Sequence, residues 1–310
     1  MKGPFFCAKI LLFGEYGIIK NSKGLLIPYN YFKGSLKISK IELNILQIKS
    51  HKRVNDFISS LKLIDSKVVC FDWDKIRNDI QKKIYFDSNI PQGYGVGSSG
   101  ALVAAVYDRY AKNKISVLEN LNNQRLQKLK LIFSQMESFF HGKSSGFDPL
   151  NSYLSLPILI NSSENIESTV IPSQNMNGKR AVFLLDSGSE GKTASMVKLF
   201  MENMKSESFS KMMKDQFISI TDKCVEDFLK SNYKNLFMHL KELSKLVFKN
   251  FNPMIPDEYK DIWLKGINNN SYYLKLCGSG GGGYILGFTQ NWLKAKEELE
   301  VYNLQTVYLF

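Results

Sequence analysis

Residues 272–288 read YYLKLC-GSGGGG-YILGF: two apolar runs of strand length joined by Gly278–Gly283, five glycines and one serine. A hairpin needs only one or two glycines. The surplus points to close backbone approach by a ligand or by another part of the chain. Upstream, RAVFLLD (180–186) reads as a strand, and helical patterns near 190–204, 208–230, 233–250 and 257–267 fill the interval. A helix over 291–301 and the strand LQTVYLF (304–310) follow. Strand, helices, two strands, helix, strand is the split βαβ order.

That order predicts a ferredoxin-like second domain. The polar stretch PSQNMNGK (172–179) places a boundary around 175–180, dividing the chain into 1–177 and 178–310. In the first part, FFCAKILLF (5–13) reads as a buried strand with a turn at Gly14–Gly17. The region 31–90 alternates strand-like stretches, SLKISKIELNILQI (35–48) among them, with helices expected around 52–62 and 73–83. Leu126, Leu129, Phe133, Met136 and Phe140 recur at steps of three and four, one apolar stripe of a helix over 124–141 that Gly142 is placed to end. YLSLPILI (153–160) reads as strand. The chain is expected to be α+β, in two domains.

The bulk composition excludes several classes. Apolar runs are strand-length, far short of a bilayer span. The start, MKGPFFCAKILLFGEYG, lacks a small-residue cleavage site and meets Glu15 directly after its apolar run, so it is not read as a signal peptide. Cys7, Cys70, Cys224 and Cys277 are scattered, with neither zinc spacing nor a disulfide framework, which fits a reducing compartment. The net charge of +12 is spread as lysines through amphipathic helices, a pattern of solvated faces and not of a nucleic-acid patch. A cytoplasmic protein with a small-molecule partner, monomeric or homodimeric, and with no nucleic acid or membrane partner, is expected.

The loop Gly93-Tyr94-Gly95-Val96-Gly97-Ser98-Ser99-Gly100 opens onto ALVAAVYDRYAKN (101–113), a helix of small and apolar residues. Glycines let a backbone approach its ligand and turn N–H groups toward it, and the helix start adds free N–H groups and the positive end of its dipole. Polyphosphate is the natural ligand. The hydroxyl of Ser98 or Ser99 is placed to reach a magnesium ion; the plain alternative is a turn with a serine cap. Two look-alikes fail. Gly95 to Gly100 fits G-x-G-x-x-G with Glu119 about twenty residues on, but the preceding IYFDSNIP is polar-interrupted and ends in proline. Gly188-Ser189-Glu190-Gly191-Lys192-Thr193 evokes a P-loop, yet has two residues where that motif needs four. Phosphoryl transfer to an alcohol asks for one carboxylate to hold Mg²⁺ and another to take or orient the hydroxyl proton. Glu137, near the end of its helix, and Asp148, in HGKSSGFDP, are the candidates. Lys9, inside an apolar strand, calls for a buried or cleft partner.

Three separated segments resemble the three motifs of the GHMP kinases, the galactokinase, homoserine, mevalonate and phosphomevalonate kinase family. They are Ala8-Lys9-Ile10-Leu11-Leu12-Phe13-Gly14-Glu15, Pro91 to Ser99, and Cys277 to Gly283. The resemblance implies a ribosomal-protein-S5-like N-terminal domain before the ferredoxin-like one, with ATP and Mg²⁺ as cofactors. Within the family the pattern is most similar to the mevalonate kinases. Lys9, Gly14 and Glu15 match their opening motif; Glu137, His141, Gly142, Ser145, Gly146 and Asp148 match their acidic helix and the loop after it. By that likeness Asp148 is the catalytic base, paired with Lys9, while Glu137 and Ser98 or Ser99 hold the metal. It likewise implies substrate contacts at Glu15, Tyr16, His141, Ser145, Thr193, Gly280 and Gly281. Tyr16 stands where the family carries histidine, Ser144 replaces a common proline, and Cys7-Ala8 replaces the family's Pro-Gly.

The function expected is ATP-dependent phosphorylation of a small hydroxy acid, mevalonate first and phosphomevalonate second, in isoprenoid precursor synthesis. A rival of another class, a non-catalytic sensor on the same fold, is opposed by the joint presence of Lys9, Glu137 and Asp148.

Overall fold

The apolar run FCAKILLF forms β1 (Phe6–Phe13), buried along its length except at Cys7. In this computed structural model, residues 4–39, 41–117 and 121–310 are described. Strand β2 (Gly24–Ile38) neighbours β1 and pairs antiparallel with β3 (Ile84–Ser88) through residues 34–38. The strand-like reading of 35–48 gives way after Ile38. Helix α1 (Ile45–Ser60) starts there because Asn44 and Gln47 form a capping box, each side chain taking the other's backbone N–H, at 2.9 and 3.0 Å. Helix α2 (Trp73–Gln81) is capped by Asp72. Helices α3 (Ser98–Tyr110) and α4 (Asn123–His141) follow, the second burying Leu126, Leu129, Ile132, Phe133 and Met136 as its stripe requires. Phe140, expected in that stripe, is half-buried, and Ile132 takes its place.

The stretch read as a strand over 153–160 is half wrong. Residues Phe147–Leu154 form helix α5, and only Ile158–Ile160 is strand, β4. Gly146, at φ +76°, turns the chain into α5, and Pro149 sits in the first turn, where its missing N–H costs nothing. Strand β5 (Ile166–Ser168) pairs with β4, which pairs with β2 through Gly24, Leu25 and Leu26.

The rest begins with β6 (Ala181–Asp186) and α6 (Thr193–Asn203). The single helix expected over 208–230 is α7 (Glu207–Met212) and α8 (Ile218–Leu229) joined by a π-helical turn at Met213–Phe217. Then come α9 (Tyr233–Asn250), α10 (Lys260–Asn269), β7 (Tyr273–Leu276), β8 (Tyr284–Thr289), α11 (Trp292–Glu298) and β9 (Leu304–Leu309). Sheet order is β7-β8-β6-β9, antiparallel throughout, so β8 inserts between the two strands of the β6-to-β7 crossover. This is the ferredoxin-like arrangement expected from the order of elements. Phe183, Phe228, Trp263, Tyr272 and Phe288 are fully buried in it.

Two compact units result. The first comprises the chain up to Lys9, Ile27–Pro91 and Gly97–Leu156; the second comprises Ile10–Leu26, Gln92–Val96 and Pro157–Phe310. Among the described residues no helix is long and apolar enough to cross a membrane.

Candidate active site

In the first unit, the lysine on β1 finds its partner on α5. Lys9 Nζ lies 3.0 Å from Asp148 Oδ1, with 5% of the lysine side chain and 34% of the aspartate exposed. The pair sits under the start of α3. Gly97, the N-cap, has φ +80°, and a Cβ there would stand 2.9 Å from Lys9 Cγ and 3.7 Å from Asp148 Oδ2. Only glycine lets the helix start this close to the ion pair.

Beside it, Ser99 Oγ donates to Glu137 Oε1 at 2.9 Å and lies 3.0 Å from His141 Nε2. Ser144 Oγ donates to the other carboxylate oxygen of Glu137 at 2.5 Å and accepts the Gly146 N–H at 3.0 Å. Burial, and secondarily the charge of Asp148, push the Glu137 carboxyl up to about 7, against the pull of Ser144, Ser99 and Lys9. Burial also lowers His141, with Asp148 opposing and Arg53 assisting. Lys9, Ser99, Glu137, His141 and Asp148 therefore lie together. Ser98 is half-buried next to them, and exposed Ser145 accepts the Phe147 N–H at 3.5 Å. Ser144, read in the sequence only as standing in place of a common proline, was not among the candidate site residues.

Among the described residues no group of three His, Cys, Asp or Glu side chains could cage a metal. Mg²⁺ needs no such cage, because it takes one or two carboxylates and completes its shell with phosphate oxygens and water. The hard oxygens of Ser99 and Glu137, 2.9 Å apart with Glu137 buried, fit that habit.

In the second unit, the glycine loops meet. Gly95 has φ +78°, and a Cβ on it would fall 2.4 Å from the carbonyl oxygen of Cys277. The Gly191 N–H donates to the Gly93 carbonyl at 2.9 Å, so the P-loop look-alike packs against the glycine loop. Glu15 Oε1 accepts from Lys275 Nζ at 2.5 Å, and both side chains are about nineteen-twentieths buried. Tyr16 is buried and donates to the Ser279 carbonyl at 2.7 Å. Ser279 Oγ donates to Thr193 Oγ1 at 3.3 Å, next to Gly280 and Gly281. Lys275, within an apolar strand like Lys9, carried the same signal and was not singled out.

Residues 67–155 match the family model described as the GHMP kinases N terminal domain. The chain has the GHMP kinase fold. L. major mevalonate kinase in complex with R-mevalonate superposes with a TM-score of 0.64 at 16% identity, covering 99% of this chain and 97% of that one. Streptococcus pneumoniae phosphomevalonate kinase gives 0.61 at 12% identity over 99% and 100% of the two chains. Lactococcus lactis galactokinase complexed with galactose gives 0.64 at 11% over 98% and 92%. At these identities the likeness is one of fold. No curated protein sequence matches. The GHMP fold leaves no place for the dinucleotide reading, whose Glu119 lies outside the described residues.

Proposed function

We propose that this protein transfers the γ-phosphoryl group of ATP to the hydroxyl of a small hydroxy acid, mevalonate before phosphomevalonate. The observation that carries the reading is the Lys9–Asp148 pair at 3.0 Å under the glycine start of α3. The loop from Gly93 to Gly100, with Val96 buried in its middle, offers backbone N–H groups and a helix N-terminus to the phosphates. Asp148 is exposed enough to reach an acceptor hydroxyl and take or orient its proton. The buried ammonium of Lys9, 3.0 Å away, orients that carboxylate and stabilises the negative charge that develops on the transferred group. Ser99, with Ser98 next to it, and Glu137 would hold Mg²⁺, which would supply positive charge to offset that of the phosphates.

The mevalonate preference rests on the motif resemblance, together with a full-length fold likeness to a mevalonate kinase bound to R-mevalonate. Glu15, Tyr16, His141, Ser145, Thr193, Gly280 and Gly281 are the acceptor contacts that this resemblance proposes, although Tyr16 is buried with its hydroxyl on the Ser279 carbonyl. The same reading keeps 1–177 and 178–310 as the two homologous modules, in a cytoplasmic monomer or homodimer.

The test is a coupled ADP-release assay with mevalonate, phosphomevalonate, homoserine and galactose. Release with mevalonate above the others is expected. Absence of release with both isoprenoid acids rules out the first and second acceptors together.

A further inference from the structure

Tyr16 combines features that an acceptor contact would not need. Its backbone lies at φ +59°, a region that bulky side chains rarely occupy. Its ring is 6% exposed and stacks on Phe200 at 4.5 Å and Phe251 at 5.7 Å. Its hydroxyl is already committed to the Ser279 carbonyl at 2.7 Å. Burial, with the charge of Glu15 added, pushes the phenol well above its usual value, so it stays a donor.

The neighbouring residue explains the strain. Glu15 binds Lys275, four residues before Ser279. In extended backbone, consecutive side chains point to opposite sides. The positive φ at Tyr16 lets two consecutive side chains reach the same short stretch, 275–279. Strain of this kind persists only where the surroundings over-determine it. The π-helical turn at Met213–Phe217 supplies part of those surroundings. Phe217 packs at a tilt against Phe251, ring centroids 5.2 Å apart, and lies 3.6 Å from where a Cβ on Gly17 would be.

Ser279 receives that tether. It stands between Gly278 and Gly280, at φ +69° and +73°, left-handed positions that bring the loop backbone close to Gly95 and to the Met254 carbonyl. Its hydroxyl forms a solvent-facing pair with Thr193.

We propose that Tyr16 is a positioning residue: by holding the Ser279 carbonyl it fixes the Ser279 hydroxyl, whose hydrogen bond to Thr193 Oγ1 leaves the Thr193 hydroxyl as the donor to an anionic oxygen group of the acceptor, without touching the acceptor itself. This rests on the reading of the protein as a hydroxy-acid kinase.

The experiment compares the full-length native protein with Tyr16→Phe and Tyr16→His in two arms. In the first, hydrogen exchange is followed at the Gly281 and Gly283 amides, which donate to the Met254 and Ser189 carbonyls at 2.7 and 2.6 Å. Tyr16→Phe should speed exchange there about tenfold, the scale of one hydrogen bond, with amides of α4 unchanged. In the second arm, the acceptor KM, measured with mevalonate and with phosphomevalonate, should rise about tenfold while the ATP KM and kcat stay near native. Tyr16→His should restore native values only if its ring reaches the Ser279 carbonyl, which the exchange arm reads directly. Unchanged exchange at Gly281 and Gly283 in Tyr16→Phe overturns the proposal, as does a kcat loss at unchanged acceptor KM. A native protein that phosphorylates neither acid removes the kinase reading, and the exchange arm still decides the tether.

Discussion

Lys9 Nζ and Asp148 Oδ1 stand 3.0 Å apart, and the glycine at position 97 leaves no atom between that pair and the first turn of α3. A buried ammonium, a half-buried carboxylate and a helix N-terminus thus lie together, and the proposed phosphoryl transfer rests on them.

Asp148→Asn keeps the shape and removes the proton acceptor. A fall in kcat of about 10²–10⁴-fold with little change in ATP affinity is expected. Lys9→Met should also slow transfer, and the double variant should be no worse than the poorer single one, because the two act as a unit. Asp148 is a third exposed, so its loss should cost about 1–2 kcal/mol of stability, less than breaking a fully buried pair. A folded Asp148→Asn protein with near-native kcat would refute its catalytic role.

Glu137→Gln exchanges a carboxylate for a poorer ligand of a hard dication. The Mg²⁺ concentration for half-maximal rate should rise while the melting temperature holds. Titrating Mg²⁺ at saturating ATP checks this, and an unshifted curve at full activity would leave Glu137 a structural acid.

The two glycines of the loop should behave differently. At Gly95 a Cβ would meet a backbone carbonyl at 2.4 Å, which cannot give way, so Gly95→Ala should lose stability in proportion to nucleotide binding. At Gly97 it would stand 2.9 Å from Cγ of the buried Lys9, so Gly97→Ala should displace that lysine and cost more than the about 1–2 kcal/mol of left-handed backbone strain alone. Its kcat should drop by more than that stability loss accounts for. Melting temperature and kcat, measured on both variants, separate the two cases.

Ser144→Ala leaves Glu137 Oε2 without its donor inside the protein. A destabilisation of about 1–3 kcal/mol is expected. In a double-mutant cycle with Glu137→Gln the effects should fall short of additivity, and strict additivity would show that the hydrogen bond contributes nothing.

Local signals carried much of this structure. Lys9 within an apolar strand announced a buried partner, the glycines before ALVAAVYDRY announced the start of α3, and the order of elements after residue 180 gave the ferredoxin-like sheet. Alternation misled at 153–160, because the periodicity of so short an apolar stretch cannot separate helix from strand, and a left-handed Gly146 decided for α5. It misled again at 45–48, where a reciprocal cap won. The tethers of Glu15 to Lys275 and Tyr16 to Ser279 span 260 and 263 residues, and no spacing rule reaches that far.

The second compact unit draws on residues from both ends of the chain, and synthesis runs in one direction only. Glu15 leaves the ribosome 260 residues before Lys275. At about 5–20 residues per second, its carboxylate waits on the order of 10–50 s for its cation. Ile10–Phe13, buried in the finished protein, spends the same interval without β6 to β9. That wait makes the nascent chain, more than the folded protein, the stage at which this protein is open to aggregation and to capture by chaperones.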